Sequence, residues 1–143
     1  MMGYKSPRIY TIVLATAYVV YVDSTTYYYG QPFSQAQATT TATTKAFIPK
    51  KGIIRVCSIC VYHATLCSNE SLAYSIRLND TTDYAIETKA LTLADGSSTL
   101  FSNSNLNIAV NAGDFIQIKL VTPAWATNPT AVRETATVLI ECE

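Results

Sequence analysis

The side chains best suited to thiol or metal chemistry are Cys57, Cys60, Cys67 and Cys142, together with a single histidine, His63. Cys57 and Cys60 have the spacing of a zinc half-site or a redox pair. The residues around them argue against it. Positions 53 to 62 read Ile-Ile-Arg-Val-Cys-Ser-Ile-Cys-Val-Tyr, a β-branched and aromatic run that predicts a strand. Residues three apart on a strand point to opposite faces, so these two thiols do not chelate one ion. The expectation is four small, buried, reduced side chains, with a Cys60–Cys67 or Cys67–Cys142 bridge left open because spacing does not fix connectivity. A nucleophile made of Cys60 or Cys67 with His63 needs the imidazole to reach the sulfur and a third group to orient it. At a strand end beside a polar loop, His63 is expected to be solvated or singly hydrogen-bonded instead.

Asn79, Asp80 and Asp83 bring carboxylate and amide oxygens together, but without the ligand spacing of a calcium loop, and Asn and Asp are ordinary turn formers. No phosphate-binding glycine loop, nucleophile elbow or paired His-Glu metal motif occurs. No catalytic, cofactor or metal residue is therefore assigned, and the chain is expected not to be an enzyme. What remains is aromatic surface. Tyr27, Tyr28, Tyr29 and Trp125 are the candidate ligand or interface residues, because such side chains combine apolar area with a polar tip. Strand alternation puts Tyr27 and Tyr29 on one face and Tyr28 on the other.

The elements that must position these groups are strands. Period-two alternation recurs, and no 3.6-residue apolar period of helical length appears. Leu72, Tyr74, Ile76 and Leu78 share one face, with Ala73, Ser75, Arg77 and Asn79 on the other. Ile116, Ile118 and Leu120 repeat the pattern, with Gln117 and Lys119 opposite. The turn Asn111-Ala112-Gly113-Asp114 is expected to join that strand to Leu106, Ile108 and Val110 as a hairpin. A last strand is expected over about 132–141, and Pro123 and Pro129 confine the Trp125 segment to a loop. Lys5, Arg8 and the apolar run 9–22, with Ala15-Thr16-Ala17 inside it, have the outline of a secretory signal, but the density of Tyr, Val, Ile and Thr favours a long strand. The uncharged polar stretch 34–44 is expected to be a loop or connector.

Composition sets the limits. A chain of 143 residues suffices for one core without staples, and 49% hydrophobic residues with 14% charged is not a disordered composition. A formal net charge of zero supplies no electrostatic pull on nucleic acid or anionic membrane. Turn signals at short intervals predict eight or nine strands in an all-β, antiparallel two-sheet sandwich, with a jelly roll favoured over an immunoglobulin-like order.

The run from Ser68 through Leu72-Ala73-Tyr74-Ser75-Ile76-Arg77-Leu78-Asn79 to Asp83, then Phe101-Ser102-Asn103 and Leu106 through Asn111-Ala112-Gly113-Asp114 to Lys119, resembles a pattern in tailed-bacteriophage virion proteins. In those proteins a jelly-roll domain forms a trimeric head fibre, capsid decoration or tail-fibre tip. With Phe47 to Ile54 and Pro123 to Pro129, the resemblance spans about residues 25 to 141. The Ala-Gly-Asp turn is shared with jelly rolls of the tumour-necrosis-factor and complement type, and the cysteine cluster is not part of the pattern. The resemblance implies a non-enzymatic virion protein, assembled in the host cytoplasm as a homo-oligomer, most simply a trimer. It divides the chain into an attachment segment, 1–24, and a jelly roll, 25–143. Implied partners are a major capsid protein or fibre shaft and a cell-surface glycan, with neither nucleic acid nor membrane. Two rival readings are a monomeric carbohydrate-binding module using Trp125 and a secreted filament subunit built by strand exchange.

Overall fold

The computed structural model describes residues 6, 8–16, 21–30, 45–64, 67–93, 97–129 and 131–142. The expected loop 34–44 lies outside the described residues, as do Lys5 and Ala17 of the signal-like segment and the side chain of Cys67. Ten strands are present: β1 (Arg8–Ala15), β2 (Thr26–Tyr29), β3 (Ala46–Phe47), β4 (Gly52–His63), β5 (Cys67–Leu78), β6 (Thr82–Leu93), β7 (Ser97–Asn103), β8 (Ile108–Val110), β9 (Phe115–Val121) and β10 (Arg133–Cys142). The count exceeds the expected eight or nine because β3 and β8 are fragments of two and three residues.

The strands form two antiparallel sheets, one in the order β1-β10-β4-β7 with β8 also on β4, the other β2-β9-β5-β6 with β3 also on β9. Pairing is nested: β5 with β6, β4 with β7, β2 with β9 and β1 with β10. A long hairpin rolled on itself gives this order, so the strand order makes the fold a jelly roll. Rolling also leaves partners far apart in sequence, such as Leu14 opposite Ala136.

Alternation sets the core. Leu72, Tyr74 and Ile76 of β5, Ile116, Ile118 and Leu120 of β9, and Ala136, Val138 and Ile140 of β10 are all buried between the sheets. Turn chemistry closes the β5–β6 hairpin. Asn79 and Asp80 both take positive φ (51° and 58°), the Thr81 amide bonds to the Leu78 carbonyl, and the ladder pairs Leu78 with Thr82, so residues 79–81 form the loop. Asn79 then braces a second turn, giving an amide hydrogen to Asp114 and accepting one from the Phe115 backbone, each at 3.0 Å.

That second turn corrects one expectation. β8 pairs with β4 and β9 pairs with β5, so residues 111–114 carry the chain from one sheet to the other and no hairpin forms. Both flanking segments bury alternate apolar residues, a pattern that does not say which sheet each joins.

Candidate functional site

The two sheets present different outer faces. On the β2-β9-β5-β6 sheet, Asp83 accepts from Arg77 at 2.7 Å and from Lys119 at 2.5 Å, and Arg77 lies over the Tyr28 ring. Burial works against ionised Asp83, but the bonds from Lys119 and Arg77 outweigh it and hold its pKa below the ordinary value. Both cations are thus paired with Asp83 within the sheet.

The outer face of the β1-β10-β4-β7 sheet carries almost no charge. Register places Ile9, Thr11, Val13 and Ala15 of β1 opposite Glu141, Leu139, Thr137 and Thr135 of β10. Next come Val56, Ser58 and Cys60 of β4, then Ser102 and Leu100 of β7. Ile9 is 57% exposed, Val13 47% and Leu100 57%. The charges sit at the ends: Arg133 at one, the Arg55–Glu141 pair (2.7 Å) at the other. The two sides of the sheet also differ. At β7, Glu87 accepts the Ser102 amide and Lys89 donates to the Leu100 carbonyl, so side chains occupy that edge. β1 pairs with β10, and no second strand lies beside it among the described residues.

The sequence-derived candidates divide between surface and core. Tyr27 and Tyr29 point inward and are buried, while Tyr28 faces out, as alternation requires. Trp125 is buried, with its indole donating to the Ser71 carbonyl at 3.1 Å, so its loop is pinned to the sandwich. Cys57 faces the core, where burial pushes its thiol up to about 12, and Cys60 is exposed on the outer face. Cys142 is buried. His63 is fully buried, which removes the solvated placement from the two expected for it, solvated or singly hydrogen-bonded, because it shares the inward parity of Ile59 and Val61 to the end of β4. Cys60 and His63 therefore project from opposite faces of one strand and do not form a thiol–imidazole pair. Asp80 pairs with Lys45 and Asp83 with Lys119 and Arg77, so the turn carboxylates meet cations and do not converge on an ion site. Among the described residues, no group of three His, Cys, Asp or Glu side chains is arranged around a common metal position.

Sequence reasoning missed one residue. Glu134 is 1% exposed, inside the sandwich. Its carboxylate accepts the Tyr74 hydroxyl at 2.5 Å. Its backbone is tied to Thr16 twice, donating to Thr16 Oγ1 at 3.1 Å and accepting the Thr16 amide at 2.9 Å. Tyr21 and Tyr29 crowd the same group and stabilise its charge, yet neither hydroxyl reaches hydrogen-bond geometry, and Glu134 Oε2 is left without a partner. Burial dominates and raises the Glu134 pKa to about 7, with Tyr74, Tyr29 and Tyr21 pulling it down. A signal was present: Glu134 shares parity with Ala136, Val138 and Ile140 on β10.

No protein-family model matches the chain, and no curated protein matches it. Three solved structures illustrate the similarity found. The structure of the infectious bursal disease virus Gx strain is 18% identical with a TM-score of 0.45, covering 96% of this chain and 32% of that one. FLHE is 10% identical with a TM-score of 0.49, covering 97% of this chain and 100% of that one. Eiger TNF from S. frugiperda is 10% identical with a TM-score of 0.41, covering 93% of each chain. This chain thus spans about a third of the viral chain's length. Similarity at this level assigns neither a family nor an activity, and the fold assignment rests on the strand order itself.

Proposed function

We propose that the chain is a non-enzymatic structural module that assembles with copies of itself, as a trimer, through the outer face of the β1-β10-β4-β7 sheet, and serves in a virion as a capsid-decorating, head-fibre or tail-fibre component. The observation that carries the assembly reading is the contrast between the outer faces, one charged and internally paired, the other apolar, hydroxyl-rich and charged only at its ends.

An exposed apolar face of this size favours a partner, because covering it releases ordered water. Four strands about 4.8 Å apart and about eight residues long give roughly 500 Å² in plan, before side-chain relief. That is of the order of the ~800 Å² each partner contributes to a standard interface. A face charged only at its ends can meet a different patch of the next copy without repulsion, and that head-to-tail contact repeated around a three-fold axis closes the assembly as a trimer.

The virion reading is supported by the resemblance of residues 25–141 to tailed-bacteriophage structural proteins. In it, residues 1–24 are the attachment segment, whose β1 edge receives a strand from a capsid protein or fibre shaft. Charge placed on the face by Leu100→Glu tests the assembly reading. The variant is expected to remain folded and become monomeric, and a variant that still assembles contradicts it.

A further inference from the structure

We infer that Glu134, with Tyr21, Tyr29 and Tyr74, forms a buried proton-binding centre that fastens Thr16 and residues 21–29 to the sandwich while the proton is held and loosens them when the proton leaves. This inference is independent of the assembly reading.

The geometry gathers four chain segments on one residue. Thr16 follows β1 and makes two bonds to the Glu134 backbone, Tyr21 precedes β2, Tyr29 ends β2, and Tyr74 comes from β5 of the opposite sheet. The Tyr21, Tyr29 and Tyr74 side chains are fully buried. Residues 21–29 are further tied by the Val22 amide donating to the Tyr27 hydroxyl at 2.8 Å, and Tyr21 and Tyr27 pack with their rings tilted by 57° and centroids 4.6 Å apart. Thr16 and the entry to β2 thus meet around a single titratable group.

Three polar atoms there lack partners: Glu134 Oε2 and the hydroxyls of Tyr21 and Tyr29. A neutral carboxyl suits this arrangement. One oxygen accepts from Tyr74, and the proton on the other lets it donate to a neighbouring phenol oxygen, so the chain of hydroxyls can close. The anion instead sits desolvated, with the Tyr74 hydroxyl alone at close hydrogen-bond distance and the Tyr29 and Tyr21 phenols offsetting only part of the burial. Groups face the site from each packed element. From β4 these are Val61, opposite Glu134 in the ladder, Cys57, whose thiol acts on Tyr29, and His63 two residues beyond Val61. Phe101 of β7 packs edge-on to Tyr74. Arg133, next along β10, points outward. The influences on Glu134 are burial and the three phenols, with no cation among them. The only bond broken on release is O–H, and the proton passes to solvent water.

The test is a carbon-13 NMR titration of the side-chain carboxyls in the full chain, labelled at glutamate, with amide hydrogen exchange followed in parallel. One glutamate resonance is expected to titrate near neutrality and to be missing in Glu134→Gln. Over the same pH range, protection of β1 and β2 amides, corrected for intrinsic exchange, should fall about tenfold or more relative to β5 and β9. Should Glu134→Gln fail to fold, the wild-type titration alone decides. The inference is overturned if every glutamate titrates in the ordinary range, or if β1 and β2 keep their protection while one glutamate titrates near neutrality.

Discussion

The Tyr74 hydroxyl donates to Glu134 at 2.5 Å across the interior of the sandwich, joining β5 of one sheet to β10 of the other through a bond closed to water. A charge-assisted bond in such a place is worth more than one on the surface, and losing it leaves a buried acceptor without its donor.

Changing Tyr74→Phe is therefore expected to cost on the order of 2 kcal/mol. The cost should depend on pH. Glu134 has a folded pKa of about 7 against an ordinary 4.5, so the folded state binds its proton more tightly than the unfolded chain. Stability from this group is fully present below about 4.5 and is lost as pH rises through about 7. In the wild type the decline amounts to roughly 3 kcal/mol. Removing the Tyr74 donor raises the folded pKa further, so the decline should extend to higher pH in Tyr74→Phe. Denaturant midpoints at pH 5, 7 and 9 check both statements.

Charge on the outer face is expected to separate assembly from folding. Val13 and Leu100 are 47% and 57% exposed, so Val13→Lys or Leu100→Glu should change monomer stability by no more than about 0.5 kcal/mol. Each should nevertheless abolish self-association, because an unpaired charge would be trapped between copies. Thermal melts paired with sedimentation velocity distinguish this outcome from general unfolding.

The cysteines should differ in reactivity. Cys60 is exposed, whereas Cys57 is buried with its thiol pushed up to about 12 and Cys142 is buried. A maleimide should label Cys60 in the dissociated native chain and reach Cys57 only on unfolding. Since Cys60 lies within the proposed interface, its labelling should slow as protein concentration rises. Mass spectrometry of labelled peptides reads each site, and concentration-independent labelling of Cys60 would count against the interface.

Gly52 of β4 packs tightly against β10. A Cβ placed there would lie 2.5 Å from the Glu141 carbonyl oxygen, which belongs to the backbone and cannot swing aside. Gly52→Ala is expected to destabilise by about 1–3 kcal/mol through overpacking. Urea unfolding measures it, and an unchanged midpoint would mean that β10 shifts freely.

Much of this architecture was legible in the sequence because strand parity is a local property. The inward positions of Leu72, Tyr74, Ile76, Ile116, Ile118 and Leu120, the opposite faces of Cys57 and Cys60, and the Asn79-Asp80 turn all follow from period two and turn chemistry. Sheet membership is not local. Residues 108–120 read as a hairpin, yet β8 and β9 belong to different sheets, because the register that separates them is set by β4 and β5. Glu134 escaped notice because a lone acid in an alternating strand usually faces water, and its partners Tyr21, Tyr29 and Tyr74 lie 60 or more residues away along the chain. The outer face was hidden for the same reason. Ile9, Val13, Cys60, Leu100 and Leu139 become neighbours only through the nested pairing.

Self-assembly through that face is tested by the mass of the full chain in solution, measured by light scattering coupled to size exclusion with and without reductant. One discrete species is expected at three times the 15.6 kDa chain mass, unchanged by reductant. A monomer at all accessible concentrations, or a species that forms only through intermolecular disulfides, would contradict it.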